Sequence, residues 1–224
     1  MIVQQLFDPA SSTYTYVLLD VQTKQAVIID PVDTQVEKYI QEIQGYVLKL
    51  IIDTHIHADH VTGAYLLKQK TGARYGLNAQ FDGVDIQLSD GMVIPIGTIS
   101  LRFFATPGHT AESVCIVVDT YVFTGDTLLI GKCGRTDFQN GDAGALYDSV
   151  TQKLFTLSSN IIVYPGHDYE GRTHSTIGNE QNHNLRLSNK SKEEFIRIMN
   201  TLNLPKPKMM DIAVPANMRG GKLN

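Results

Sequence analysis

Four times along this chain a short apolar run rich in β-branched or aromatic residues breaks off into a loop that carries histidine or aspartate. "LKLIID" leads into "THIHADH", "FFATP" into "GHT", "YVFTG" into Asp126, and "IIVYP" into "GHDY". Runs of this length and composition read as strands. In layered α/β proteins the strand ends are where sites are built, because the strand fixes position while the loop supplies chemistry.

The segments between these runs have the grammar of an α/β layer. "YTYVLLD" (14–20) and "QAVIID" (25–30), separated by "VQTK", predict an antiparallel hairpin. Residues 34–46 place Val36, Ile40 and Ile43 at helical spacing, with Thr34 as the expected cap and Gly45 near the stop. A strand over "VLKLIID" and a helix over "VTGAYLLKQKTG", stopped by Gly72, follow. A second set of short strands around "MVIPI", "ISLRFFATP", "SVCIVVD" and "YVFTGD" precedes a helix over 143–157 and a strand over 160–167. Helical patterns follow near 177–187 and 192–202, then a proline-marked tail read as irregular. The two halves resemble each other, and a single domain over 1–224 is expected.

Composition narrows the function classes. With 42% hydrophobic and 19% charged residues there is material for a core, and a net charge of −4 gives no general attraction to nucleic acid or an anionic membrane. No stretch is long and apolar enough to span a bilayer, and the start lacks the layout of a signal peptide, so a cytoplasmic location is expected. Two cysteines make no disulfide framework; Cys115 reads as a core residue and Cys133, on the loop after Asp126, as a packing residue too.

Seven candidate ligands therefore gather at strand ends: His55, His57, Asp59, His60, His109, Asp126 and His167. His55 and His57, two apart on extended chain, can point the same way. Asp59 and His60 are expected where the next helix starts, turning back toward the same point. A lone histidine is usually a hydrogen-bonded structural residue, but four strand ends all bearing histidine or aspartate point to a metal. Imidazole suits zinc and iron, and the lack of cysteine in the cluster argues against a purely structural zinc.

"HIHADH", "PGHT", "FTGD" and "YPGHDY" together resemble the signature of the metallo-β-lactamase superfamily. That resemblance implies a four-layer αββα sandwich with its metal site at one edge between the sheets. "LLIGKCGRTDFQNGDAGALYDSV", "YPGHDYEG" and the tail "LNLPKPKMMDIAVPANMRGG" are similar, more narrowly, to persulfide dioxygenases (sulfur dioxygenases) of the ethylmalonic-encephalopathy protein type, over nearly the whole chain. The resemblance implies one Fe(II) per chain held by His55, His109 and Asp126, which would also be the catalytic set. His57, Asp59, His60 and His167 would surround it, where dinuclear relatives keep a second metal. The implied reaction takes glutathione persulfide, O2 and water to sulfite and glutathione.

The nearest rival is a glyoxalase II-like thioester hydrolase with a dinuclear site, zinc or another metal pair in place of one iron; all seven ligand types it needs are present. The loop "CGRTDFQNG" and the lack of the long C-terminal helical domain typical of glyoxalase II favour the dioxygenase. A non-enzymatic metal or persulfide carrier is a further alternative. Glutathione carries two carboxylates and an amine, so Arg135, Tyr169 and Arg186 are the candidate substrate contacts. Arg135 has a competing role as the partner of Asp137, and Arg186 as a solvated helix residue. His174 and His183 are expected to be surface or structural residues, and a homodimer is left open.

Overall fold

A hairpin of fully buried strands organises the first half of the computed structural model, which describes residues 1–223. Strand β2 (Thr13–Asp20) is buried at every position and pairs antiparallel with β3 (Gln25–Ile29), Tyr16 opposite Ile29. Such strands read as continuous apolar runs because both faces are covered. On the outer side of β2 lies β1 (Ile2–Asp8), antiparallel, with Ile2 opposite Leu19. On the other side β4 (Val47–Ile52), β5 (Arg74–Leu77) and β6 (Ile86–Gln87) add in parallel, giving the order β1-β2-β3-β4-β5-β6.

Parallel neighbours need crossovers. Helix α1 (Val36–Glu42) joins β3 to β4 and α2 (Ala64–Thr71) joins β4 to β5. Val36, Tyr39, Ala64 and Leu67 pack with Val17, Ile28, Ile51 and Tyr75 in one buried cluster. Gly72 ends α2 in the left-handed conformation at φ 70°, as its position predicts. Thr34 is no cap: a 3-10 turn over Asp33–Gln35 precedes α1, and no side chain caps either one.

The second sheet has the order β12-β11-β10-β9-β8-β7. It is built from β7 (Val93–Ile96), β8 (Ile99–Ala105), β9 (Val114–Val118), β10 (Tyr121–Gly125), β11 (Ile162–Pro165) and β12 (Ser175–Thr176). β8, β9 and β10 form an antiparallel meander, and β10 pairs parallel with β11. Three helices go with it: α3 (Ala143–Gln152), α4 (Ile177–His183) and α5 (Lys192–Asn200). Asp142 caps α3 through the Ala145 N–H, and Ser191 with Glu194 forms a capping box on α5. Leu146, Val150, Val163, Ile177 and Phe195 centre this core.

By contact the chain forms two compact units. One comprises Met1–Leu88, Val93–Leu101 and the chain from Lys206 onward; the other comprises Ser89–Met92 and Arg102–Pro205. The tail is not irregular: α6 (Met210–Asn217) forms there, with Pro215 inside it. Prolines normally break a helical reading, but Ala213 and Ala216 bury against Val61 and supply the packing that propensity does not. The 143–157 pattern likewise ends early, α3 giving way to a 3-10 turn at Leu154–Thr156. Among the described residues no helix is long and apolar enough to cross a membrane.

Candidate metal centre

In the first unit the site begins where β4 runs out. Residues Asp53–Val61 adopt no helix or strand, and α2 starts only at Ala64, so Asp59 and His60 lie on this loop and not in a first helical turn. A loop this buried needs partners for its polar groups. Asp30, at the end of β3 with φ 52°, supplies several. Its Oδ1 accepts from the Thr54 N–H at 2.7 Å and its Oδ2 from the Thr54 hydroxyl at 2.9 Å. His57 Nε2 lies 3.1 Å from the same Oδ1. His55 is buried, its Nδ1 3.0 Å from the Thr54 hydroxyl and its ring 4.1 Å from that of His57.

Burial works against charge on His57, but the Asp30 carboxylate outweighs it and lifts the imidazole to about 10. Burial pushes neighbouring Asp53 up to about 6, while Tyr75 and Thr62 hydroxyls hold its two oxygens at 2.7 and 3.0 Å. His57, Asp59 and His60 bring ligand atoms within 4.8 Å of one another. His60 Nδ1 meets Asp59 Oδ2 at 3.0 Å, which Thr13 also contacts.

In the second unit three strand ends act together. His109 follows β8, Asp126 follows β10 and His167 follows β11. Gly125 and Pro165 are paired across β10 and β11, and the Gly166 N–H donates to the Gly125 carbonyl at 2.8 Å, which fixes Asp126 beside His167. His109 Nε2 lies 3.6 Å from one Asp126 oxygen and His167 Nε2 3.6 Å from the other. Both distances are too long for hydrogen bonds. Nitrogen and oxygen ligands bound to one ion at about 2.1 Å stand roughly 3–3.5 Å apart. His109 Nδ1 donates to the Arg135 carbonyl at 2.7 Å, so the tautomer leaves Nε2 as the ligating atom.

Each unit keeps donor atoms that fit a metal. Among the described residues the buried side-chain atoms without a hydrogen-bond partner include His57 Nδ1, His60 Nε2 and Asp126 Oδ1. Leaving three such atoms unpaired inside a protein is costly unless something else occupies them. Room is kept around Asp126 as well. A Cβ on Gly166 would stand 2.7 Å from its Oδ1, and one on Gly134 would stand 2.4 Å from its carbonyl and 2.8 Å from His109 Nδ1.

The proposed substrate contacts divide. Arg135 donates to both oxygens of Asp137 at 2.6 and 2.7 Å and to the carbonyls of Pro205 and Leu204, with its guanidinium over the Phe138 ring. It is a strut. Arg186 lies just past α4 and donates to the Cys133 carbonyl at 2.7 Å, again bracing the loop after Asp126. Tyr169 is 67% exposed and stacks on His167 with centroids 6.0 Å apart, so it alone of the three turns outward beside a candidate ligand. Cys133 is buried, and that burial pushes its thiol up to about 11, the packing role its sequence suggested.

Several residues of this centre escaped the sequence reading. Asp30 ends "QAVIID", an apolar run closing on an acid as "LKLIID" does, and that pattern was the available signal. Glu180 is fully buried and accepts from the Gly131 N–H and from Ser175 and Asn184, holding the same loop from α4. Nothing local marks it.

Comparison with known proteins agrees with this architecture. The family model described as the metallo-beta-lactamase superfamily matches residues 9–82 and 76–167. The mitochondrial persulfide dioxygenase ETHE1 of Mus musculus is 45% identical, over 99% of this chain and 89% of its own length. The crystal structure of ETHE1 from Myxococcus xanthus superposes with a TM-score of 0.97 at 48% identity, covering 99% of this chain and all of that one. A hydroxyacylglutathione hydrolase from a Polaromonas species is 32% identical over 80% of this chain and 72% of its own length.

Proposed function

We infer the reaction from one premise: the chain belongs to the metallo-β-lactamase superfamily and, within it, to the persulfide dioxygenases. It is an oxidoreductase of that family. The observation that carries this is 45% identity to a persulfide dioxygenase along nearly the whole chain, against 32% over four-fifths of it for a thioester hydrolase. Tail and second-half loops are part of the first match, and these are the segments in which the sequence reading found the narrower resemblance.

The metal is one ferrous iron, held by His55, His109 and Asp126, with His57, Asp59, His60 and His167 around it. Two neutral imidazoles and one carboxylate are a set suited to non-haem Fe(II) and leave coordination positions open. Iron bound there supplies Lewis acidity and redox chemistry toward O2 and a sulfur anion. The chain's own groups prepare the ligands. The Arg135 carbonyl holds the His109 proton on Nδ1. Asp30 keeps Nε2 of His57 engaged, so that only its Nδ1 is free to face an ion.

The substrate is glutathione persulfide, converted with O2 and water to glutathione and sulfite; both added oxygens and the water oxygen end on the terminal sulfur. Tyr169, outward beside His167, contacts the carrier thiol's peptide portion. Oxygen uptake and sulfite formation by iron-loaded protein given glutathione persulfide test the reading. Thioester hydrolysis by the same sample, without oxygen uptake, would favour the hydrolase.

A further inference from the structure

The tail that resembles the family has no place in the chemistry above, yet it reaches the histidine loop. Asn217, at the end of α6, is 1% exposed. Its amide Nδ2 donates to the His57 carbonyl and to the His60 carbonyl, both at 2.9 Å, and its Oδ1 accepts from the Thr62 N–H at 2.9 Å. One side chain thus satisfies three backbone groups of a loop that has no ladder of its own. A planar amide with two donors and one acceptor is suited to that task.

The rest of the tail holds Asn217 there. Ala213 and Ala216 bury against Val61. The chain then turns back through Gly220 and Gly221, at φ 66° and 89°, where the Gly221 N–H reaches the Ala216 carbonyl. The Gly220 carbonyl accepts from the Tyr65 N–H at 2.9 Å, satisfying an otherwise orphaned donor in the first turn of α2. Gly221 passes so close that a Cβ there would stand 2.2 Å from the Thr62 carbonyl. The loop is therefore gripped at its start by Asp30 and at its end by the tail.

We propose that Asn217 is a positioning residue for the metal centre: through the His57 and His60 carbonyls it sets the conformation in which the loop presents its histidines. The proposal rests on the reading that this loop binds metal, and it assigns the C-terminal segment a role in metal affinity beyond stability. Groups that position the residues around a metal commonly contribute about ten- to a hundredfold in affinity.

Cobalt(II) titration of the full chain against a competing chelator, with absorption spectra and urea unfolding, tests it. Asn217→Ala is expected to lose at least about tenfold in cobalt affinity and to change the spectrum. Leu48→Ala, in the buried cluster under α1 and α2 at the far end of β4, is expected to lose stability while keeping parental affinity and spectrum. Parental affinity and spectrum in Asn217→Ala, or equal affinity losses in the two variants, would overturn the proposal. Should Asn217→Ala not fold, amide exchange of the metal-free parent decides. The Thr62 amide is expected to exchange only with the opening of 213–221, and faster, independent exchange at Thr62 would overturn it. A parent that binds no cobalt refutes the metal reading instead, and the exchange experiment still judges the clamp.

Discussion

Replacing Asp30 by asparagine keeps its shape but removes the charge that holds a proton on His57. The folded-state value of His57 is raised to about 10 from 6.5, so between those limits the folded chain binds more protons than the unfolded one. Its contribution is complete below about 6.5 and is lost as pH rises toward about 10. Asp53, raised from 3.8 to about 6, loses stability with the same sign in its own lower window. The metal-free protein is therefore expected to show falling urea midpoints across the His57 window, and Asp30→Asn a flatter profile; a parental midpoint that climbs with pH would refute the assignment. Tyr169→Ala, on an exposed ring, is expected to raise KM for the persulfide several-fold with a stability change within about 0.5 kcal/mol. Unchanged KM would remove Tyr169 from the substrate contacts.

At the scale of elements, the loop between β10 and α3 carries the clearest predictions. Gly134→Ala would drive a methyl into the Asp126 carbonyl and the His109 ring, so loss of bound metal is expected while the helices stay folded, read by metal content beside circular dichroism. Arg135 braces this loop through Asp137 and joins it to the segment after α5 through the Pro205 and Leu204 carbonyls. Arg135→Ala is expected to cost about 2 kcal/mol in urea unfolding, with Arg135→Lys a poor rescue because lysine lacks the planar fork. A raised KM with unchanged stability would restore it as a substrate contact. Strands β2 to β4, β8, β10 and β11 were legible because continuous apolar runs have few alternatives. The tail helix was not, since three prolines mask a short element whose stability comes from Val61, more than 150 residues away in sequence. Nor was β1, whose mixed polar pattern, partly exposed on an outer strand, carries little period.

At the scale of the whole molecule, local motifs announced the ligands while long-range contacts supply what holds them. His55, His57, Asp59 and His60 sit in one readable run, and His109, Asp126 and His167 each close an apolar strand. Asp30 and Asn217 are distant in sequence from the histidine-loop groups they fix, as Glu180 is from Gly131, and spacing within the loops does not reach them. The choice of reaction lay further still from the ligands: seven ligand types suit a hydrolase as well as a dioxygenase, and similarity along the full chain separates the two. The most direct measurement is oxygen consumption by protein of known iron content supplied with glutathione persulfide. One O2 taken up and one sulfite formed per persulfide, at a rate proportional to bound iron, is the expected result; no uptake at any iron loading, with thioester hydrolysis in its place, would contradict it.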